Sequence, residues 1–407
     1  MSPFYKGLHH ALTSLYGDSF NLSSDNKIFE KVSAAFESVT KWLHRKKDFQ
    51  PEMLTEKEPQ TLINETFNVL KTPLENLSIE QDIPEELTRA LEENIFHFSG
   101  FKTYHELKEA SLLLKDEKGG FKSFDKFAQD VKRINERYNR NYLNAEYEFA
   151  VSSSQMAVKW KDYEKDGDRY NLQYRTAADD RVREEHAALH GITLPPSDKF
   201  WDKYYPPNGW RCRCTVVQVR KGKYDESDSD DACKAGDKAT THIDKNGSNK
   251  AAIFRFNPGK QEKIFPPKHP YYKAQEAVKN VVEKTHIAQR RSEIKKQASL
   301  MRTESPIFHS GSNISMIITG KGIDEFLNQP HKHYSEKNEL LLNIRSVVES
   351  SEYKGVSYFK GRTSHIFETE LCGDKTWIIA NEVDGRGVAL HSISDNEKVL
   401  VGIKKPT

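Results

Sequence analysis

Apolar residues recur every three or four positions through the first part of the chain. Leu8, Leu12, Leu15 and Tyr16, then Ile28, Val32, Phe36, Val39 and Leu43, each make a stripe that predicts helix across residues 5–45. A polar link at 46–59 leads to a second periodic run at 61–71. Asp82-Ile83-Pro84-Glu85-Glu86 reads as a helix start, because acids suit the positive end of a helix and proline is tolerated in its first turn. Gly119-Gly120 breaks the pattern, and 123–160 then carries one or two long helices. The first 160 residues read as a packing and docking scaffold without a catalytic cluster.

The pattern changes character at 175–214. Asp179-Asp180-Arg181-Val182-Arg183-Glu184-Glu185-His186 begins like a helix with acids in its first turn. His186 and His190, at i and i+4, fall on one face of that helix, and Gly191 stops it. Pro195, Pro196, Pro206 and Pro207 impose an extended loop, which Phe200, Trp201, Tyr204, Tyr205 and Trp210 can pack down. Cys212-Arg213-Cys214 enters a strand. Residues 221–250 are polar, rich in Gly, Ser and Asp, and without period, so they read as a mobile loop or inserted linker.

From 260 to 302 there are eleven Lys/Arg against four Glu, a balance of +7. Residues 274–301 have helix-forming composition, with a thin apolar stripe of Ala274, Val278, Val281, Val282 and Ala288, and Ile287 and Ile294 to one side. A basic helix of this kind neutralises phosphates, and a solvated linker helix has the same look. In the tail, 323–328 and 337–351 read as helices, the second with Leu340, Leu341, Ile344 and Val348 on one face. Strand-like runs follow at 356–359, 365–371, 377–383, 387–393 and 398–403, separated by turn signals such as Gly373-Asp374 and Asp384-Gly385. The expected fold class is α+β: a mostly helical N-terminal body, a small α+β module, and a C-terminal α+β domain with an antiparallel sheet. The expected partition is 1–120, 121–220, a polar linker at 221–259, a basic helical linker at 260–302, and a domain at 321–407.

Composition narrows the classes. A chain of 407 residues holds two or three domains, and 36% hydrophobic with 30% charged residues suits a core-forming protein. A net charge of +2 predicts neither nucleic-acid nor membrane affinity for the whole chain. No apolar run follows a basic start in the first ten residues, so no secretory signal is expected. No stretch approaches the length of a membrane span. Four cysteines, at 212, 214, 233 and 372, do not make a disulfide framework in a chain this long, which fits folding in a reducing cytoplasm.

Two constellations carry chemistry. His186, His190, Cys212 and Cys214 are the donor set of a tetrahedral zinc site, with histidines at zinc-like spacing and cysteines closer than the usual Cys-x2-Cys. Such a metal would clamp the Pro-rich loop to its helix; the alternative is thiols buried as small hydrophobes beside hydrogen-bonded histidines. Metalloprotease chemistry is excluded, because Ala187 stands where that motif needs its glutamate. In the tail, His331 and His333 lie between two helices, and Lys360, Arg362, His365, His391, Ser392 and Ser394 come later, on or beside strands. Metal-free RNA cleavage needs a base, an acid and a cation for the phosphorane. Histidine suits the first two roles, and Lys or Arg the third. From 321 onward, twelve Lys/Arg face thirteen Asp/Glu, so strong nonspecific RNA binding is not expected of this domain alone.

The run Asp180-Arg181-Val182-Arg183-Glu184-Glu185-His186, then Gly191, then Pro206-Pro207-Asn208-Gly209-Trp210-Arg211-Cys212-Arg213-Cys214, resembles the phage Mu F-like minor head (head morphogenesis) family over residues 122–219. The family pattern is Asp-Arg-Val-Arg-x-x-His, a glycine, and a closing Pro-Pro…Cys-Arg-Cys; its tryptophan before the acidic pair is Tyr174 here. The resemblance implies a minor capsid protein, few per particle, associated with the portal and prohead interior and made in the bacterial host cytoplasm. It also implies a structural motif of Asp180, Arg181, Arg183, His186, Gly191, Cys212 and Cys214, with no catalytic residue to carry over. The partners implied are the phage portal and other head proteins, with no membrane.

Asn328-Gln329-Pro330-His331-Lys332-His333-Tyr334, with Lys337-Asn338-Glu339-Leu340-Leu341 and the strand pattern, is similar to the phage-associated barnase–EndoU–colicin–RelE-like nucleases over 321–403. Such domains are often fused behind Mu F-like domains, sometimes as toxins delivered with the phage. This second resemblance implies an endoribonuclease that needs no cofactor. His331, His333 and His391 would transfer protons, and Lys337 and Arg362 would hold phosphate. An RNA substrate, packaged phage DNA against the basic stretch and an immunity protein complete the expected partners. The alternative is a non-catalytic binding module used in head assembly. A host cytoplasmic RNase unrelated to phage is disfavoured by the 175–214 pattern.

Overall fold

The computed structural model describes residues 3–16, 27–167, 169–244, 247–359, 361–383, 385 and 387–404. The expected helix through 17–26, Lys360, and Asp384 of the second expected turn lie outside the described residues. The chain divides into two compact units, Met1–Thr285 and His286–Thr407.

The first unit opens with helices α1 (Pro3–Tyr16), α2 (Lys27–Lys46), α3 (Lys57–Glu80), α4 (Glu85–Ser111), α5 (Phe124–Glu136) and α6 (Leu143–Lys165). Val32, Phe36, Val39 and Leu43 of α2 and Leu8, Leu12 and Tyr16 of α1 are buried, as the periodicity requires. Helix α3 is longer than the 61–71 run and carries Pro73 inside it. Gly119 takes φ +83°, and the Asp116 carboxylate accepts from the amides of Lys118 and Gly120 to close the turn before α5. Helices α5 and α6 are joined by a π-helical segment, Arg137–Tyr142.

The interior of this body is not wholly apolar. Lys102 on α4 donates to Glu146 Oε2 on α6 at 2.5 Å and to the Tyr138 carbonyl at 2.7 Å. Glu146 Oε1 also accepts from the hydroxyls of Tyr16 at 2.7 Å and Tyr271 at 3.3 Å. A buried ion pair persists only when its remaining hydrogen-bonding capacity is met, and these tyrosines meet it. Burial pushes the carboxyl of nearby Glu106 up to about 8, against the pull of Lys102 and the Asn139 amide.

After α6 come β1 (Tyr170–Arg175), α7 (Glu184–Ala187), β2 (Thr193–Leu194), α8 (Phe200–Tyr204) and β3 (Thr215–Arg220). The strands form a small antiparallel sheet in the order β2-β1-β3, with Tyr170 opposite Arg220 and Arg175 opposite Thr215. The helix expected from Asp179 is only the single turn α7. Phe200, Trp201, Tyr204, Tyr205 and Trp210 are all buried and hold the proline-rich loop down. The Pro206–Pro207 peptide is cis.

Residues 221–250 depart from the loop reading. They contain α9 (Ser229–Ala239), capped by the Asp228 side chain accepting from the Asp231 amide. Ala232 is buried, and a Cβ at Gly236 would lie 2.4 Å from the Tyr204 ring, so the helix seats closely on the aromatic loop. The first part of the basic stretch is not a linker. It includes α10 (Pro258–Gln261), and Ile264, Phe265 and Tyr271 are fully buried in the body, with Phe265 stacked on Phe98 at 3.8 Å. The rest is α11 (Glu276–Leu300), within which the two units divide. Val278, Val281 and Val282 belong to the first unit's core; Ala288, expected on the same stripe, is exposed.

The second unit contains the end of α11, β4 (Ile307–His309), β5 (Ile314–Ile317), α12 (Gly320–Asn328), α13 (Tyr334–Leu340), α14 (Ile344–Ser350), and strands β6 (Glu352–Phe359), β7 (Arg362–Leu371), β8 (Asp374–Val383) and β9 (Gly387–Ser394). Its sheet runs β4-β5-β9-β8-β7-β6, antiparallel throughout except for β5, which lies parallel to β9. Leu340, Leu341, Ile344 and Val348 are buried on one face, as their spacing predicts, among Phe326, Phe367, Ile378 and Leu390. Ile294, Ala298, Ile307 and Met316 join the same core, so the unit begins well before residue 321. The strand expected at 398–403 is a 3₁₀ turn, Glu397–Leu400, plus a single bridge from Val356 to Lys404. The Asn396 side chain caps that turn, and Gly402 at φ +77° redirects the chain, so an extended run cannot form.

Candidate functional site

Strand β1, turn α7 and the entry to β3 converge on one point of the first unit. His186 leaves α7 and presents Nδ1 to two sulfurs, 3.7 Å from Cys212 Sγ and 3.9 Å from Cys214 Sγ. All three side chains are buried. Because the Cys-x-Cys pair immediately precedes β3, pairing of that strand to β1 fixes where the sulfurs stand. His190 is elsewhere: it is exposed, and its Nδ1 accepts from the Thr176 amide at 3.2 Å. The four-donor set therefore reduces to three. Since α7 stops after one turn, the i,i+4 geometry that would align the two histidines does not exist. Gly191 takes φ +87°, and its amide donates to the Tyr174 carbonyl, ending the turn and starting the approach to β2.

The surroundings mix apolar side chains, Val151, Ala177 and Val182, with several arginines. A cavity of about 520 Å³ is lined by the three donor residues together with Glu148 and Ser152 of α6 and Arg181, Arg183, Arg211 and Arg213. Arg213, between the cysteines, forms two 2.6 Å bonds with Asp179, whose carboxyl this guanidinium holds well below the usual range. Arg183 donates to the Trp210 carbonyl at 2.7 Å, and Arg181 meets Asp179 at 3.3 Å; Asp180 is exposed. Ser152 donates to the Cys212 carbonyl at 3.2 Å. The two buried thiols share their protons: a hydrogen bond from Cys214 favours the Cys212 thiolate, helped by His186, and drives the Cys214 thiol up. Sequence reading missed Asp179 and Arg213 as a clamp. The signal was the arginine between the two cysteines, matched by an acid just ahead of the Asp-Arg-Val-Arg run.

The tail residues do not form one cluster. His331 is buried. Its Nδ1 accepts from the His333 amide at 3.0 Å, which leaves Nε2 to donate to Thr376 Oγ1 at 3.3 Å, and burial lowers its pKa. The His333 ring lies 6.0 Å from the His331 ring and turns to Asp374 Oδ2 at 2.7 Å, an oxygen that Lys332 also reaches. His391 sits where the β8–β9 register shifts, between Leu390 opposite Ala380 and Ser392 opposite Ile379. Its own surroundings are Glu325, Arg362 and Lys321, and burial lowers its pKa. Among the described residues no hydrogen bond or ion pair joins His391 or Arg362 to His331 or His333.

Lys337 departs most from its expected role. It is fully buried, and Nζ donates to the carbonyls of Phe326, Leu327 and Gln329 at 2.7, 3.2 and 3.0 Å. An ammonium has three donors, so none remains for phosphate. Lys337 caps the end of α12, and burial lowers its pKa to about 8. The basic stretch is partly neutralised as well: Lys260 pairs with Asp202, Arg290 with Glu339 and Lys295 with Asp324.

Residues 118–217 match the model of the family described as Phage Mu protein F like protein, so the chain carries a Mu F-like region that contains the whole His186 cluster. Over 54 residues, 13% of this chain, it is 52% identical to the putative capsid assembly protein F of Escherichia phage Mu. Over 148 residues, 35% of the chain, it is 28% identical to the Mu-like prophage FluMu F protein of Haemophilus influenzae. An uncharacterized protein, MJ0329, of Methanocaldococcus jannaschii is 43% identical over 47 residues, 12% of this chain and 7% of its own. These matches span only 12% and 34% of the lengths of the phage Mu and Haemophilus relatives. No solved structure matches the chain. No helix among the described residues is long and apolar enough to cross a membrane.

Proposed function

We propose that this chain is a capsid assembly protein of a tailed phage or prophage, acting in head morphogenesis through its Mu F-like region. One observation carries the reading. The family match at 118–217 coincides with a single folded feature in which Arg183, His186, Cys212, Arg213 and Cys214 meet around one cavity, with Asp179 clamped to Arg213. The name of the phage Mu relative supplies the capsid assembly role. On this reading the protein is made in the host cytoplasm and resides in the head, with the portal and other head proteins as partners, and the exposed lysines of α11 face packaged DNA. Particles purified by density gradient should contain the protein at low copy by mass spectrometry, and deletion of its gene should abolish filled heads. Normal heads from the deletion strain, together with absence of the protein from particles, would refute the role.

A finer reading assigns the second unit metal-independent RNA cleavage. The His331–His333 pair supports it: a neutral imidazole stands beside one oriented by a carboxylate, the arrangement a proton-transfer couple uses. The competing reading is a binding module used in assembly, with these bonds serving packing alone. Full-length protein is incubated with RNA in EDTA. Cleavage leaving 2′,3′-cyclic phosphate ends, lost in His333→Ala, makes the unit a nuclease, toxic without an immunity partner. Intact RNA in the presence of folded protein leaves the binding module.

A further inference from the structure

We propose that the Nδ1 of His186 and the sulfurs of Cys212 and Cys214 hold one zinc ion, with His190 taking no part. Zn–S and Zn–N bonds of about 2.3 and 2.0–2.1 Å set tetrahedral N–S edges of about 3.6 Å. The observed N–S edges are 3.7 and 3.9 Å, so the imidazole stands within a few tenths of an ångström of zinc-spanning distance from both sulfurs. All three donor atoms lie within 4.8 Å of one another, and all three residues are buried. Two thiolates and an imidazole select a borderline-soft ion over magnesium or calcium.

Cysteines that serve only as small buried hydrophobes need no polar partner at their sulfurs. Both residues pack in an apolar core with Tyr174 and Val216, yet their sulfurs also meet an imidazole nitrogen on the wall of a cavity whose lining includes four arginines and a glutamate. The frame exists independently of the ion. Arg183 ties α7 to the Trp210 carbonyl, and Asp179 grips Arg213 between the two ligands, so the donors are held in place before loading. Loading makes two Zn–S bonds and one Zn–N bond. Both sulfurs bind as thiolates, whatever thiol protons remain go to solvent, and no electron moves. Three protein donors leave one tetrahedral position, which the shared cavity opens to water. The ion would clip the Asp-Arg-Val-Arg turn to the entry of β3, joining two segments 26 and 28 residues apart in sequence.

The test uses full-length protein purified under reducing conditions, incubated with zinc and dialysed exhaustively. Elemental analysis should give about one zinc per chain, unchanged in His190→Ala and in Cys372→Ser. His186→Ala and Cys212→Ser should lose about tenfold or more in zinc affinity. Should those variants fold poorly, cobalt added to the wild-type protein keeps the question open to measurement. Two thiolates and an imidazole give intense visible bands and a sulfur-to-cobalt charge-transfer band. Less than about a tenth of a zinc per chain in folded wild-type protein would overturn the proposal. So would a colourless cobalt form, a mass showing Cys212 and Cys214 oxidised to a disulfide in the dialysed protein, or loss of metal in His190→Ala.

Discussion

The cluster around His186 and the histidines of the second unit are both sets of reactive side chains that the sequence marks out. Folding treats them in opposite ways. His186 gathers two sulfurs from 26 and 28 residues downstream, while its near neighbour His190 turns away to Thr176. His331 and His333, only two residues apart, take different partners in Thr376 and Asp374, and His391 stands in a separate setting with Glu325 and Arg362. Nearness in sequence is therefore weak evidence of a shared site. Convergence across a sheet pairing is stronger, because the chain must spend conformational entropy to bring distant donors together.

Lys337 is where that contrast is sharpest and where it breaks most easily. The ammonium satisfies three carbonyls at the end of α12 in a fully buried position. Lys337→Met keeps the apolar stem but leaves those carbonyls without a donor. It should destabilise the second unit by about 3 kcal/mol. Urea unfolding followed by hydrogen exchange in β7–β9 reads the change. Exposed Arg362→Ala should leave the same transition in place. A phosphate-binding Lys337 would give the reverse: a stable variant defective only toward RNA.

The next effect is smaller and lies in the Mu F-like region. Arg183→Ala removes the bond to the Trp210 carbonyl, a part-buried charge-assisted contact, and should cost about 1 kcal/mol in global stability. If the His186 cluster depends on that frame, zinc uptake falls by more than the stability loss explains. Unchanged uptake would mean that β1–β3 pairing alone holds the donors.

Helices with strong periodicity were legible from sequence: the buried stripe of α2 and the Leu340–Val348 face stand where their spacing put them. Three features were not. Helix α9 has linker-like composition and forms because Asp228 caps it and Gly236 lets it lie against Tyr204, a tertiary gain that composition does not carry. Strands β4 and β5 are three and four residues long, too short for alternation to register, and exist because β9 and β4's neighbour complete their ladders. The Lys102–Glu146 pair sits on helices whose apolar pattern gives no warning of buried charge. At the site, the donor types were readable, but the length of α7 was not. That length decides between four donors and three.

The smallest effect concerns pH. Burial holds the His331 pKa below its ordinary value of 6.5. As pH falls through 6.5, the unfolded chain takes up this proton before the folded one does, so the contribution to stability is full above 6.5 and is lost toward the lower folded pKa. His391 acts in the same direction for the same cause. The glutamine of His331→Gln can accept from the His333 amide and donate to Thr376 without titrating. Unfolding midpoints of the second unit, measured between about pH 7 and pH 5, should fall less steeply in this variant than in the wild type. A slope identical to wild type would mean that His331 binds its proton equally well in the folded and unfolded chains, so that its burial confers no pH dependence.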